Sequence, residues 1–304
     1  MSDSPKPLSP FKSALRFMKS FQVLAILTSL TGLAFLVMDG MIDGQWDLVT
    51  SGWNNVKIFL SETGPPNWSV LEARSYPTCE ERYDVFCSIA YIGMLETIKI
   101  AFVATILGFI VALLFSSLAA RNLVPLYVAI PVRILLSGIR SLPSLIWAIL
   151  FVIVIGFGPL SGVLAMTFYT VGYLGKLQYE TFEGMASDSL EASRAMGLSR
   201  GSILLNVVIP ENSNHLLSQL MFMFEYNVRH GTVIGIVGAG GIGYYISTYL
   251  KFLQYEKVFA LLILIFVVVV IIDLLSMMVR SFVNDEGDVR RPTWLNFILT
   301  PKEE

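Results

Sequence analysis

The ionisable residues of this chain sit where charge is costly. Glu225 and Arg229 lie in an otherwise apolar run, four residues apart on one helical face, a spacing at which they can pair. Arg229 is alternatively placed to present its charge to a passing anion. Glu96 and Lys99, three apart, suggest a second pair near an outer helix end, and Asp273 stands in a long apolar stretch with no evident partner. Arg133 and Arg140 share a face and suit snorkelling or a lipid phosphate. Such residues inside apolar segments are functional candidates by default. His215 and His230 are the only histidines, and no His/Cys/Asp set stands at ligand or nucleophile spacing. No G-x-x-x-x-G-K-[ST] occurs, because Gly175-Lys176 lacks its flanking residues. Gly238 to Gly243 satisfies G-x-G-x-x-G, but a dinucleotide turn must follow a strand. Here it follows an apolar helical run, so the glycines read as a break where helices approach closely.

The elements that must hold these residues are apolar and long. Of 304 residues, 55% are hydrophobic and 14% charged, against about 25% charged in soluble domains. The net charge of −2 argues against a nucleic-acid partner. The composition predicts an all-α, polytopic transmembrane helix bundle. Runs of about 20 apolar residues give about six spans: 21–38, 88–120, within 139–158, within 159–177, 215–237 and 258–279. The first run is too long for a signal peptide and ends at Val37-Met38-Asp39 without a small-residue cleavage site, so it reads as an anchor.

Basic residues set the orientation. Lys6, Lys12, Arg16 and Lys19 keep the 1–20 tail in the cytoplasm, and Arg280, Arg290 and Arg291 do the same for the 284–304 tail. Segment 39–89 is acidic and faces outward. Within it Trp46, Val49, Trp53, Val56 and Leu60 recur at helical spacing, which predicts an interfacial helix ended by Pro65-Pro66. Cys79 and Cys87 both fall near the end of this outer segment, where they either form a disulfide or remain two free thiols.

Between the fourth and fifth spans, roughly Lys176 to Asn212, charged residues are too frequent for a span, yet apolar residues recur at helical spacing. Two short helices broken near Gly197 and Gly201 are expected. From Glu191 the chain reads Glu-Ala-Ser, three residues, Gly197, nine residues, then Val207-Val208-Ile209-Pro210. This resembles the E-A-A, three residues, G, nine residues, I-x-L-P motif of ABC importer permeases, with Ser193, Val207 and Ile209 as conservative departures. The resemblance implies a cytoplasmic coupling-helix loop in which Glu191, Ala192, Met196, Gly197, Leu198 and Pro210 contact a separate ATPase. A short helix followed by a Gly-permitted turn makes a compact knob for such a contact.

A second stretch narrows the resemblance. Glu225 to Arg229 with Thr232 to Gly243, Arg140-Ser141-Leu142-Pro143 with Leu145 to Ala148, and Glu96 to Ala101 look like the phosphonate/phosphite importer permeases. His230 departs from the small residue expected there. The resemblance covers roughly 90–283, which it implies is the permease core. It implies a translocation path near Arg140, Ser141, Pro143, Glu225, Asn227, Arg229 and Thr232, serving a small phosphorus oxyanion by alternating access. It also implies ATP-binding-cassette ATPase subunits carrying the ATP and Mg, no cofactor in this chain, and a periplasmic substrate-binding protein. A second permease copy, most simply as a homodimer, and a bacterial inner-membrane location complete what it implies. A secondary transporter would not need the 191–210 pattern, and a membrane enzyme would need a nucleophile or metal set.

Overall fold

The computed structural model describes residues 10–72 and 85–283 and divides into two compact units, Met1–Gly64 and Pro65–Glu304. In the first unit α1 (Pro10–Met41) contains one apolar span, Leu24–Met41. A turn through Asp43 and Gly44 leads into α2 (Asp47–Thr63), the amphipathic helix expected from its periodicity. Trp46 fixes the turn: its indole N–H donates to Asp39 Oδ1 at 2.7 Å, and its ring stacks on Phe35 at 4.8 Å. Gly64 and the Pro65-Pro66 pair end α2. Cys87 closes a short turn before the second unit's first helix, and Cys79 lies outside the described residues.

The second unit is a helical bundle. Its main helices are α3 (Ile89–Ala119), α4 (Leu126–Ser141), α5 (Ser144–Ile155) and α6 (Pro159–Glu183), followed by the short α7 (Ser187–Ala195). A second short helix, α8 (Arg200–Ile203), a π-turn over Leu204–Val208 and α9 (Ile209–Glu211) lead into α10 (Ser213–Ile234), α11 (Ile242–Lys251) and α12 (Tyr255–Val283). Among the described residues three helices are long and apolar enough to cross a membrane, in α1, α3 and α12; the bent pairs α4–α5 and α10–α11 make five. The remaining expected span, the fourth (within 159–177), corresponds to α6. It packs against α3, α4, α5 and α10, and buries Thr170, Leu174, Gln178 and Phe182 among its neighbours. A helix shielded by protein has no need of an apolar surface for lipid.

Two spans depart from the expected straight rods. The third begins at Leu126, and at Leu142-Pro143 it turns through 87° into α5. Proline has no N–H for the ladder and drives the preceding residue into extended geometry; Leu142 is at φ −96°, ψ 134°. The fifth bends by 41° between α10 and α11. Gly238, Gly240 and Gly241, at φ of 90°, 83° and 76°, carry the chain around this corner. The Gly238–Gly243 run is therefore a helix break with no strand before it, as its position within an apolar run implied.

Both corners need their freed backbone groups satisfied, since lipid offers no partner. Trp147 Nε1 donates to the Ile139 carbonyl at 3.0 Å across the first corner. At the second, Gly158 N–H donates to the Gly238 carbonyl at 2.9 Å, and Ile242 N–H to Thr97 Oγ1 at 2.9 Å. Asn227 joins three helices: its Nδ2 donates to Thr105 Oγ1 of α3 at 2.9 Å and to Thr170 Oγ1 of α6 at 3.0 Å, and the residue is 1% exposed. Replacing Asn227 by Ala removes both bonds and leaves a small void, so a loss of about 1–2 kcal/mol is expected. Thermal unfolding of the detergent-purified chain measures it; an unchanged midpoint would show that Asn227 is not a structural anchor.

Candidate functional site

Three groups of charged and aromatic residues emerge from this framework. The first lines a cavity of about 290 Å³ beside the α4–α5 corner, where Arg140, Ser141, Pro143 and Ser144 meet Tyr169 of α6 and Tyr226 and His230 of α10. The proline-induced corner places Arg140 and Ser141 at a helix end rather than mid-helix. Tyr226 Oη donates to Tyr169 Oη at 2.9 Å, and the two rings stack at 5.3 Å. His230, one turn on, stacks on Tyr226 with centroids 3.7 Å apart. Its Nδ1 lies 3.0 Å from the Tyr226 carbonyl oxygen, which can only accept, so the ring proton belongs on Nδ1. Arg140 forms no ion pair among the described residues. Ser141 Oγ already donates to the Gly138 carbonyl at 2.7 Å, so the protons left to meet an oxyanion in this cavity are those of the Arg140 guanidinium and of the Tyr169 hydroxyl, which accepts from Tyr226 and keeps its own.

The second group is a chain of alternating charges between α10 and α12. Arg229 bonds Asp273 at 2.6 Å and lies 3.6 Å from Glu225, while Glu225 also pairs with Arg280. The expected Glu225–Arg229 pair is thus the centre of a four-residue network, and Arg229 is the partner that Asp273 lacked in sequence. Glu225 is buried, whereas the Arg229 side chain is 47% exposed. Neither residue lines the Arg140 cavity. Asn227 is buried between helices as described, and Thr232 donates to the Arg229 carbonyl at 2.7 Å. Of the seven residues assigned to the path, Arg140, Ser141 and Pro143 meet in the cavity, and Glu225, Asn227, Arg229 and Thr232 do not.

Two expected roles change. Arg133 does not snorkel: it pairs with Glu183, donates through Nε to the Ala119 carbonyl at 2.8 Å and covers the Tyr179 ring at 4.3 Å. Its partner lies fifty residues away in sequence, beyond any local pairing rule. Glu96 and Lys99 form no ion pair among the described residues. Lys99 is exposed, while Glu96 lies against Gly240 in the α10–α11 corner.

The third group is the loop over α7 and α8. Leu190 and Ser193 anchor α7, with Ser193 Oγ donating to the Ser189 carbonyl at 2.6 Å, so the hydroxyl is satisfied where the resembling motif has Ala. The helix ends in a Schellman turn. Gly197 N–H donates to the Arg194 carbonyl at 2.9 Å and Leu198 N–H to the Ser193 carbonyl at 3.3 Å, with Gly197 at φ +75°. An added Cβ at Gly197 would meet nothing within 4 Å, so conformation rather than space demands glycine there. Glu191 and Ala192 are exposed; Met196 and Leu198 are 70% and 37% exposed. Pro210 sits just after the π-turn; lacking an N–H and clashing with the carbonyl four residues back, it accounts for the irregular ladder there.

Comparisons with known proteins agree with this geometry. Residues 104–283 match the family of binding-protein-dependent transport system inner membrane components. The chain is 36% identical over 189 residues to the phosphite transport system permease protein PtxC of Stutzerimonas stutzeri, covering 62% of this chain and 69% of that protein. It is 34% identical over 220 residues to the phosphate-import permease protein PhnE of Mycolicibacterium smegmatis, covering 71% of this chain and 38% of that longer one. In fold it is similar to a chain of the MetNI methionine ABC transporter in an inward-facing conformation, with a TM-score of 0.57 and 24% identity, covering 64% of this chain and 96% of that one.

The ion network is testable by a double-mutant cycle. Arg280→Met should leave the buried Glu225 carboxylate short of a partner and cost about 2 kcal/mol or more of stability. Adding Glu225→Gln should recover much of that loss in the melting temperature of the purified chain. Strictly additive losses would show that the two residues do not act as a pair.

Proposed function

The chain belongs to the family of binding-protein-dependent transport system inner membrane components, and on that premise we propose that its Arg140 cavity is the station through which a small phosphorus oxyanion crosses. The observation that carries this reading is the cavity itself: Arg140 pairs with no carboxylate among the described residues and lines the same space as Ser141, Tyr169, Tyr226 and His230. Phosphite, phosphonate and phosphate each present several acceptor oxygens, and the Arg140 guanidinium with the Tyr169 hydroxyl beside it suits all three. The names of the relatives, phosphite transport for PtxC and phosphate import for PhnE, support the same substrate class.

The cavity lies where two broken helices come together. Broken helices let side chains and helix ends face a substrate at depth without exposing unpaired backbone to lipid. Their corners are also where a bundle changes shape with the least loss of hydrogen bonding. In this reading a periplasmic binding protein delivers the anion, and ATP-driven closure of separate ATPase subunits is transmitted through the α7–Gly197–α8 turn. Two copies of the chain enclose the path, and access alternates as α4–α5 and α10–α11 reorient. The basic tails support an orientation with both termini in the cytoplasm of a bacterial inner membrane, 39–89 outside and a Cys79–Cys87 bridge in that segment. Engagement of Arg229 by Asp273 and Glu225 favours a structural role for that arginine over contact with the anion.

Arg140→Gln should lower uptake of the transported anion by about tenfold or more, with Arg140→Lys intermediate, measured with phosphite, methylphosphonate and phosphate in reconstituted vesicles. Unchanged uptake of all three would remove Arg140 from the path. Gly197→Val, whose β-branch opposes positive φ, should uncouple ATP hydrolysis from uptake while insertion persists. Gly197→Asn, which tolerates that conformation, should retain most coupling. Equal behaviour of the two variants would show that backbone conformation at Gly197 is not what coupling requires.

A further inference from the structure

Where the α3–α4 connection meets the α7–α8 turn, a groove of about 490 Å³ opens. Arg121, Asn122 and Pro125 form one wall, and Arg194, Gly197 and Arg200 lie on the other. All three arginines are exposed. Arg194 donates to the Asn122 carbonyl oxygen, which ties the walls together, and Arg121 N–H donates to Glu183 Oε1 at 2.7 Å, which fixes the backbone beneath its side chain. None of the three makes an ion pair among the described residues.

The local helix dipole does not explain the cluster. Arg194 in the last turn of α7 complements that dipole, but Arg121 comes from a different connection and Arg200 from the next helix. Three cations held in one groove repel one another until an anion joins them. Along α7 itself the acids come first: Asp188 stands in the first turn, Glu191 in mid-helix and Arg194 in the last turn, while Glu183, beneath Arg121, is already paired with Arg133. Charge therefore runs from acidic to basic along about 9 Å of the α7 axis, from Asp188 to Arg194 at roughly 1.5 Å per residue, with Arg200 beyond the turn.

We propose that this groove receives a carboxylate-bearing segment of the ATPase subunit, and that the acidic-to-basic order along α7 sets the direction in which that subunit docks. The inference rests on the reading of the α7–α8 turn as the ATPase contact. Gly197 and Leu198 belong both to that exposed apolar knob and to the groove lining, so a protein that covers the knob also covers the groove mouth. Once covered, three desolvated guanidinium groups demand acidic partners, and a partner docked in reverse would bring its acids against Asp188 and Glu191. Apolar contact at Met196 and Leu198 supplies adhesion; the arginines supply register and orientation.

The test uses the full-length chain in nanodiscs of zwitterionic lipid, titrated with the ATPase subunit that copurifies with it, at low and high salt. The Arg121→Glu/Arg200→Glu variant should bind about tenfold or more weakly at low salt and lose most of its salt dependence, whereas Arg121→Lys/Arg200→Lys should keep both. In the latter variant, carbodiimide should join the amine introduced by Arg200→Lys to an aspartate or glutamate of the ATPase. Wild-type affinity and salt dependence in the Glu variant would overturn the proposal. So would a defect seen only in anionic nanodiscs, because a lipid headgroup would then be the occupant. If Gly197→Val also leaves ATPase binding and coupling intact, the docking reading itself fails; if it disrupts them while the arginine variants are silent, only the groove assignment fails.

Discussion

Hydrocarbon offers no partner for a peptide N–H or C=O, and this constraint decides where the bundle can depart from straight helices. The chain departs from them twice, at Leu142-Pro143 and through Gly238–Gly241. Each corner is supplied with substitutes for the lost ladder: an indole N–H to Ile139, a threonine hydroxyl for Ile242, and a backbone bond from Gly158 to Gly238. The second corner is also held by close packing, because a Cβ on Gly241 would stand 2.5 Å from Thr97 Oγ1. Shielding and hydrogen bonding thus precede function. A cavity containing Arg140 exists because the polypeptide can turn there without exposing unpaired groups to lipid.

The same dependence explains the centrality of α6. It is not apolar enough to count as a span on its own, and Thr170 and Gln178 are fully buried on it. Thr170 and Thr105 hold Asn227 between them, and Tyr169, one residue before Thr170, faces the cavity. Adjacent residues of one helix therefore fix the position of α10 and furnish the cavity wall. A shift of α10 against α6 would disturb both, which joins the packing of the bundle to the geometry of the site.

Local rules made much of this legible from sequence. Apolar run length located the spans, the glycine run located the second corner, and the 191–210 spacing located the loop helix and its glycine turn, whereas the corner at Leu142-Pro143 lay inside what read as one straight span. What stayed hidden depends on the rotation of one helix against another. The i, i+4 rule identified Glu225 with Arg229, but Asp273 and Arg280 face that pair from α12, and no spacing within a single helix encodes it. Arg133 meets Glu183 across the bundle for the same reason. Glu96 and Lys99 had acceptable spacing yet point apart, since Glu96 lies in the corner and Lys99 outside it. Tyr169 carried no signal in sequence and Tyr226 only as part of the Glu225–Arg229 stretch, whereas His230, standing where a small residue was expected, did.

The π-turn at Leu204–Val208 gives the link between the knob and α10 an unusual mechanical property. There the Ile209 N–H reaches back five residues to Leu204 rather than four, so the helix stores one residue beyond the regular winding. Rewinding that residue into α geometry would advance the chain by about 1.5 Å and turn it by roughly 100° relative to α10, at the expense of a few hydrogen bonds. A push on the knob is thus convertible into a rotation of the following helix: the segment behaves less like a rod than like a screw with one thread of play.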